Sequence, residues 1–135
     1  MSSGESDCAV DSSALLAIVL GESDAERFAE RLVQPGKKFI SAVTFFEASV
    51  VAERRGGLEA RDRLDRLATH LGLELVPFDA THLGWARDAY RRYGKGRHPA
   101  ALNLGDCIAM ATARHLALPL LFKGEDFPLT DISPA

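Results

Sequence analysis

Brief apolar runs alternate along this chain with longer stretches in which apolar side chains recur at helical spacing. Cys8-Ala-Val10 reads as a first strand ending at Asp11, and Ser12 and Ser13 then offer capping hydroxyls to a helix over Ala14–Leu20. Gly21 stops that helix. Ser23 caps a second over Asp24–Val33, with Phe28, Leu32 and Val33 on one face, and Pro35-Gly36 ends it. Phe39-Ile40 is a short buried strand, after which Ser41 caps a helix carrying Val43, Phe46, Glu47, Val50 and Val51. Gly56-Gly57 breaks the pattern, and Leu64, Leu67 and Leu71 form the stripe of another helix over Leu58–Leu71, closed by Gly72. Leu73–Phe78 alternates like a strand, and Asp79 opens a helix through Leu83, Trp85, Ala86, Ala89 and Tyr90. Asn103 caps a helix over Leu104–Leu116, Pro119 blocks its continuation, and Leu120–Phe122 is the last clear strand. A tight turn over Lys123–Phe127 follows, and Asp131-Ile132 is expected as a small edge strand. The order β-α-α-β-α-α-β-α-α-β predicts an α/β fold, a three-layer α/β/α sandwich around a mainly parallel sheet of four to five strands.

The 135 residues fit one domain over residues 8–135, preceded by a polar, flexible extension at residues 1–7. An apolar content of 47% with 26% charge is that of a globular chain able to bury a core, so no metal or disulfide staple is needed for folding. Ala14–Leu20 is far shorter than the ~20 residues that span a bilayer. It also follows acidic residues where a signal peptide has a basic region, so neither a leader nor an anchor is indicated. Cys8 and Cys107 each sit in an apolar run and read as reduced core thiols of a cytoplasmic protein. The net charge of −3 argues against a surface that grips nucleic acid all round. A local basic patch nevertheless exists at Arg91, Arg92, Lys95, Arg97 and His98, which reads either as a phosphate-attracting element or as a solvated loop.

Asp11, Glu47, Asp106 and Asp126 lie far apart in sequence, yet each sits near a predicted strand end or helix start. In a parallel sheet that edge is where ligands bind, so the acids can converge. Each also has a plainer role to weigh. Asp11 and Asp106 could cap helices, Asp106 completing a box with Asn103, and Asp126 shares an exposed turn with Glu125. Glu47 is the hardest to dismiss, because Val43, Val50 and Val51 one turn away imply partial burial, and a buried charge is costly unless paired or metal-bound. Two carboxylates ~4 Å apart repel by about 4 kcal/mol at an effective dielectric of ~20, so a cluster of them calls for a cation. Oxygen donors suit Mg²⁺ or Mn²⁺. His70, His82, His98 and His115 are scattered without zinc spacing, and neither a dinucleotide fingerprint, a phosphate loop nor a serine nucleophile elbow is present.

Four segments carry a resemblance. They are Val10-Asp-Ser-Ser-Ala-Leu-Leu16 with Gly21-Glu22, Ser41-Ala-Val-Thr-Phe-Phe-Glu47, Tyr93-Gly-Lys-Gly-Arg-His-Pro-Ala-Ala-Leu-Asn-Leu-Gly-Asp-Cys107, and Pro119-Leu-Leu-Phe-Lys-Gly-Glu-Asp-Phe127 ahead of Thr130-Asp-Ile132. Together they resemble the PIN-domain ribonucleases, and within them the VapC toxins of toxin–antitoxin pairs, from Ala9 onward. The resemblance implies metal-binding, catalytic acids at Asp11, Glu47, Asp106 and Asp126, with a hydroxyl beside the first at Ser12 or, less closely, Ser13. It implies an Mg²⁺- or Mn²⁺-dependent endoribonuclease acting on transfer or ribosomal RNA, with Arg91, Arg92, Lys95 and Arg97 drawing in the backbone. A cognate VapB-type antitoxin and a homodimer are the implied protein partners. Two other readings stay open: a receiver-like phosphoacceptor using Lys123, and a catalytically silent PIN module serving as an interaction domain.

Overall fold

The apolar runs form a four-stranded, all-parallel sheet in the computed structural model, which describes residues 6–135. The elements are β1 (Cys8–Val10), α1 (Ser12–Val19), α2 (Ala25–Leu32), β2 (Lys38–Ser41), α3 (Ala42–Leu71), β3 (Glu74–Val76), α4 (Ala80–Tyr93), α5 (Leu104–Leu116) and β4 (Leu120–Leu121). Spatial order is β3-β2-β1-β4, with Ala9 opposite Phe39 on one side and Leu120 on the other. Side-chain alternation sends Cys8 and Val10 into one core with Phe28, Leu32, Ile40 and Leu64, while Ala9 enters a second with Leu102, Met110 and Phe127. Helices α1, α2 and α3 pack around the first core, and α4 and α5 pack on the second. The three-layer sandwich is therefore the observed architecture. Both cysteines are buried and unpaired.

Several local details differ from the expectation. Asp11, not Ser12 or Ser13, is the N-cap of α1, because its extended backbone aims the carboxylate at the Ser13 N–H, 3.2 Å away. The N-cap of α2 is Asp24, which makes no side-chain capping bond. Gly57 takes φ 73°, so α3 consists of two helical arms meeting where the glycine pair predicts a break. The core face of α3 is Thr44, Ala48, Ala52, Ala60 and Leu64, and the three alanines let α1 approach closely. Its larger apolar side chains Val43, Phe46 and Val50 point outward instead. On α4 the buried positions are His82 and Ala89, and Leu83, Trp85 and Tyr90 are substantially exposed.

Asp131-Ile132 is not a strand. Asp131 is held by Arg92 and Arg114, and the chain meets β4 later, where Leu120 N–H donates to Ser133 O and Ala135 N–H donates to Leu120 O, each at 2.9 Å. Of the expected N-terminal extension, residues 1–5 lie outside the described residues. Within it, the Asp7 carboxylate accepts from Lys37 N–H at 2.7 Å and the Ser6 carbonyl accepts from Arg31 at 3.2 Å. Among the described residues no helix is long and apolar enough to cross a membrane.

Candidate active site

Strand β1 delivers Asp11 to the carboxyl edge of the sheet between β2 and β4, where successive connections turn from one side of β1 to the other. Such a switch point is the usual ligand crevice of an open α/β sheet. Asp11 is only 5% exposed. Its Oδ2 accepts from both Ser13 N–H (3.2 Å) and Ser13 Oγ (2.5 Å), while Ser13 Oγ accepts from Lys123 N–H at 2.9 Å. One serine thus ties the first acid to the turn after β4, which also carries Glu125 and Asp126. Ser12 faces differently, its hydroxyl donating to Glu47 Oε1 at 3.2 Å.

Glu47 projects half-buried from the second turn of α3 toward the first turn of α5. The α5 terminus is closed by the predicted box: Asp106 N–H donates to Asn103 Oδ1 at 2.9 Å, and Asn103 N–H donates to Asp106 Oδ2 at 3.1 Å. Capping occupies one carboxylate oxygen and fixes the side chain. Its role as a cap and its place in the site coexist.

The charges of these acids act on one another. Burial pushes the Asp11 carboxyl up to about 6, the Ser13 bonds oppose this, and the charges of Asp106 and Glu47 add to it. Asp106 is likewise raised, first by burial, against the Asn103 bond, and further by Asp126 and Glu47. The Asp126 carboxylate is exposed at the head of the Phe127–Leu129 turn, and its charge acts on Asp106 from there. Among the described residues no Lys, Arg or His side chain forms an ion pair within 4.0 Å with Asp11, Glu47, Asp106 or Asp126. An uncompensated set of oxygen donors around a buried carboxylate fits a hard divalent cation in chemistry and in charge. Also among the described residues, no three His, Cys, Asp or Glu side chains are close enough to enclose a metal ion. The fit is in the donor set and its charge, not in a closed cage.

The basic segment divides. Arg92 is committed to Asp88 (3.5 Å) and Asp131 (3.2 Å), and Arg91 leans on Asp88 at 3.5 Å. Arg97 lies over the Tyr90 ring at 5.3 Å, and neither Arg97 nor Lys95 pairs with a carboxylate among the described residues. His98 accepts from Ala100 N–H at 3.0 Å, bracing the loop. Lys123, which a phosphoacceptor would aim at the acids, instead pairs with Glu22 at 2.7 Å and Asp24 at 3.1 Å.

The sequence ranks one contributor second and misses another. Ser13 stands behind Ser12 there, because adjacency alone does not show which hydroxyl turns back to Asp11. Gly105 carries a readable signal, a helix-disfavouring glycine in the first turn of a helix, whose meaning appears only when α3 is seen to pack against it.

Comparison with known proteins agrees with this picture. The PIN domain family pattern matches residues 8–132. A protein named Ribonuclease VapC from Mycolicibacterium smegmatis is 43% identical over 124 residues, covering 92% of this chain and 96% of that one. Among solved structures, Mycobacterium tuberculosis VapC20, described as a sarcin-ricin loop cleaving toxin, superposes with a TM-score of 0.78 at 15% identity over 95% of this chain and 98% of that one. VapBC2 from Rickettsia felis, bound to a promoter DNA fragment, gives 0.75 at 12% identity over 96% and 97%. At such identities the two structures speak for the fold.

Proposed function

We propose, because this chain belongs to the PIN-domain family and lies among its VapC ribonucleases, that it is the endoribonuclease toxin of a toxin–antitoxin pair. The observation that carries the reading is the buried Asp11, without an ion-pair partner among the described residues and within reach of the Glu47 and Asp106 charges, at the switch point of the sheet. Asp11, Glu47 and Asp106 would draw together on a divalent ion of the Mg²⁺ or Mn²⁺ type, with Asp126 at the outer edge. When bound, that ion lowers the pKa of a water and neutralises charge on the scissile phosphate.

The protein's own groups do the positioning. Ser13 fixes Asp11, Ser12 fixes Glu47, and the capping box fixes Asp106. A carboxylate oxygen of the site left free of the ion would accept the proton of the attacking water. Lys95 and Arg97, free of carboxylate partners among the described residues, draw the RNA backbone toward the edge without reading its bases. In this reading the protein works in the cytoplasm on transfer or ribosomal RNA, is restrained by a VapB-type antitoxin, and pairs with a second copy. The outward-facing Phe46 and Leu104, 68% and 79% exposed, support a surface that protein partners cover.

The test is incubation of purified protein with total RNA in EDTA, Mg²⁺ or Mn²⁺, followed by mapping of the cut ends. Cleavage is expected only with metal, and is lost in Asp11→Asn and Asp106→Asn while circular dichroism stays native. Undiminished cleavage by both variants refutes the assignment.

A further inference from the structure

We propose that Gly105 is a positioning residue for the reaction: the side chain it lacks is the space into which the Glu47 carboxylate reaches. This rests on the function proposed above. An added Cβ at residue 105 would lie 2.5 Å from Glu47 Oε2, 2.9 Å from Oε1 and 3.0 Å from Cδ, so its three nearest neighbours are all in that one carboxylate. No real Cβ tolerates the shortest of these distances. Something has to move, and the mobile partner is the end of a flexible side chain.

Conformation does not require glycine here. Gly105 sits in the first turn of α5 and is not among the glycines with positive φ, so its backbone suits any residue. Helix propensity also disfavours glycine relative to alanine. Gly84 shows that a helical glycine can be incidental, since a Cβ there meets nothing within 4 Å. Gly105 differs because the space is filled by an acid of the site. Glu47 is thus held between two contacts, the Ser12 hydroxyl at 3.2 Å and the bare backbone of α5, beside the capped Asp106. The positive end of the α5 dipole favours the carboxylate at that place. Any side chain at 105 swings Glu47 away from Asp11 and Asp106 without opening the core.

Four proteins test this: wild type, Gly105→Ala, Glu47→Asp and the double variant. Each is measured for metal-dependent cleavage of total RNA, for Mn²⁺ binding by titration calorimetry, and for melting in EDTA. Gly105→Ala is expected to cut at least tenfold more slowly and to bind Mn²⁺ at least threefold more weakly, with its metal-free melting temperature unchanged or higher. In the Glu47→Asp background, where the carboxylate is one methylene shorter and clear of the new Cβ, adding Gly105→Ala costs less than threefold. Wild-type cleavage and Mn²⁺ affinity in Gly105→Ala overturn the proposal. So does an equal loss in both Glu47 backgrounds, because the effect then does not run through Glu47. A wild type that binds Mn²⁺ but leaves RNA intact sinks the nuclease reading alone, and the Mn²⁺ titrations still decide the role of Gly105. A wild type that neither cuts nor binds Mn²⁺ overturns both.

Discussion

Replacing Asp11 by asparagine should stabilise the metal-free protein at neutral pH while removing its activity. The carboxylate is 5% exposed, and burial raises its pKa from 3.8 to about 6. A group whose folded pKa lies above its unfolded one contributes stability that is complete below the unfolded value and lost as pH rises through the folded one. For Asp11 that window runs from 3.8 to about 6. Two pH units at about 1.4 kcal/mol each put the cost of the ionised form near ~3 kcal/mol above pH 7. Asparagine removes the charge and keeps the cap, since both Ser13 bonds go to one oxygen, Oδ2, which an amide carbonyl can replace. The lost charge assistance of the Ser13 hydroxyl reduces the gain to ~1–3 kcal/mol. For a chain of this size that corresponds to a rise of ~4–10 °C in melting temperature. The assay is thermal denaturation in EDTA at pH 7.5 and pH 4. The variant should melt higher at pH 7.5, and the gap should fall below ~1 kcal/mol at pH 4, where the wild-type carboxyl is protonated in the fold. Saturating Mg²⁺ should then raise the wild type, by ~2.7 kcal/mol at one hundred times the dissociation constant, and leave the variant where it was. A variant that melts lower than wild type in EDTA at pH 7.5, or a gap that ignores pH, refutes the reasoning.

Other outcomes follow from neighbouring groups. Thr112 Oγ1 donates to Ile108 O and so accepts from His82 Nε2–H at 2.7 Å, leaving the buried Nδ1 without a partner. Burial, with His115 nearby, lowers the His82 pKa, so its contribution to stability is complete above the unfolded value of 6.5 and is lost as pH falls from there through the lower folded value. In the Asp11→Asn background, melting should therefore decline on acidification below pH 6.5, and His82→Phe should flatten that decline. Thr112→Val, which removes the acceptor, should cost ~1–2 kcal/mol in urea denaturation at pH 7.5. Lys95→Ala and Arg97→Ala should each raise KM for RNA and reduce the salt slope of binding by about 1. Arg92→Ala, whose charge is already spent on Asp88 and Asp131, should change binding little and should instead loosen the contact of Asp131 with α4.

Where a local rule decided the outcome, the sequence was readable. Asn103 three residues before Asp106 is enough to state the capping box, and the glycine pair at 56–57 is enough to state the break in α3. Apolar spacing could not reveal which of two apolar faces would find a partner. On α3 the alanine face is buried and the Val43, Phe46 and Val50 face is left outside, because close approach by α1 favours small side chains. The four acids draw notice in the sequence because each lies near a strand end or a helix start. Their supports were less so: Ser13 acts across 110 residues to Lys123, and Arg92 meets Asp131 across 39. Glu47 illustrates the difference best. Its partial burial was inferred from valines that prove partly exposed, whereas its real enclosure comes from Gly105 on another helix.

The place of β1 in the sheet also has a consequence for biosynthesis. Of the four strands, β1 is made before the others and lies between β2 and β4, and β4 is made after them. Asp11 emerges early, but its hydroxyl clamp is not complete until Lys123 is available to Ser13, and α5 with Asp106 comes only shortly before. Contacts so distant in sequence form late, because the loop between them has to close first. A nascent chain halted before α5 can assemble neither the second core nor the acid cluster. The order of the strands alone thus keeps Asp11 without its clamp and apart from Asp106 until β4 has been made.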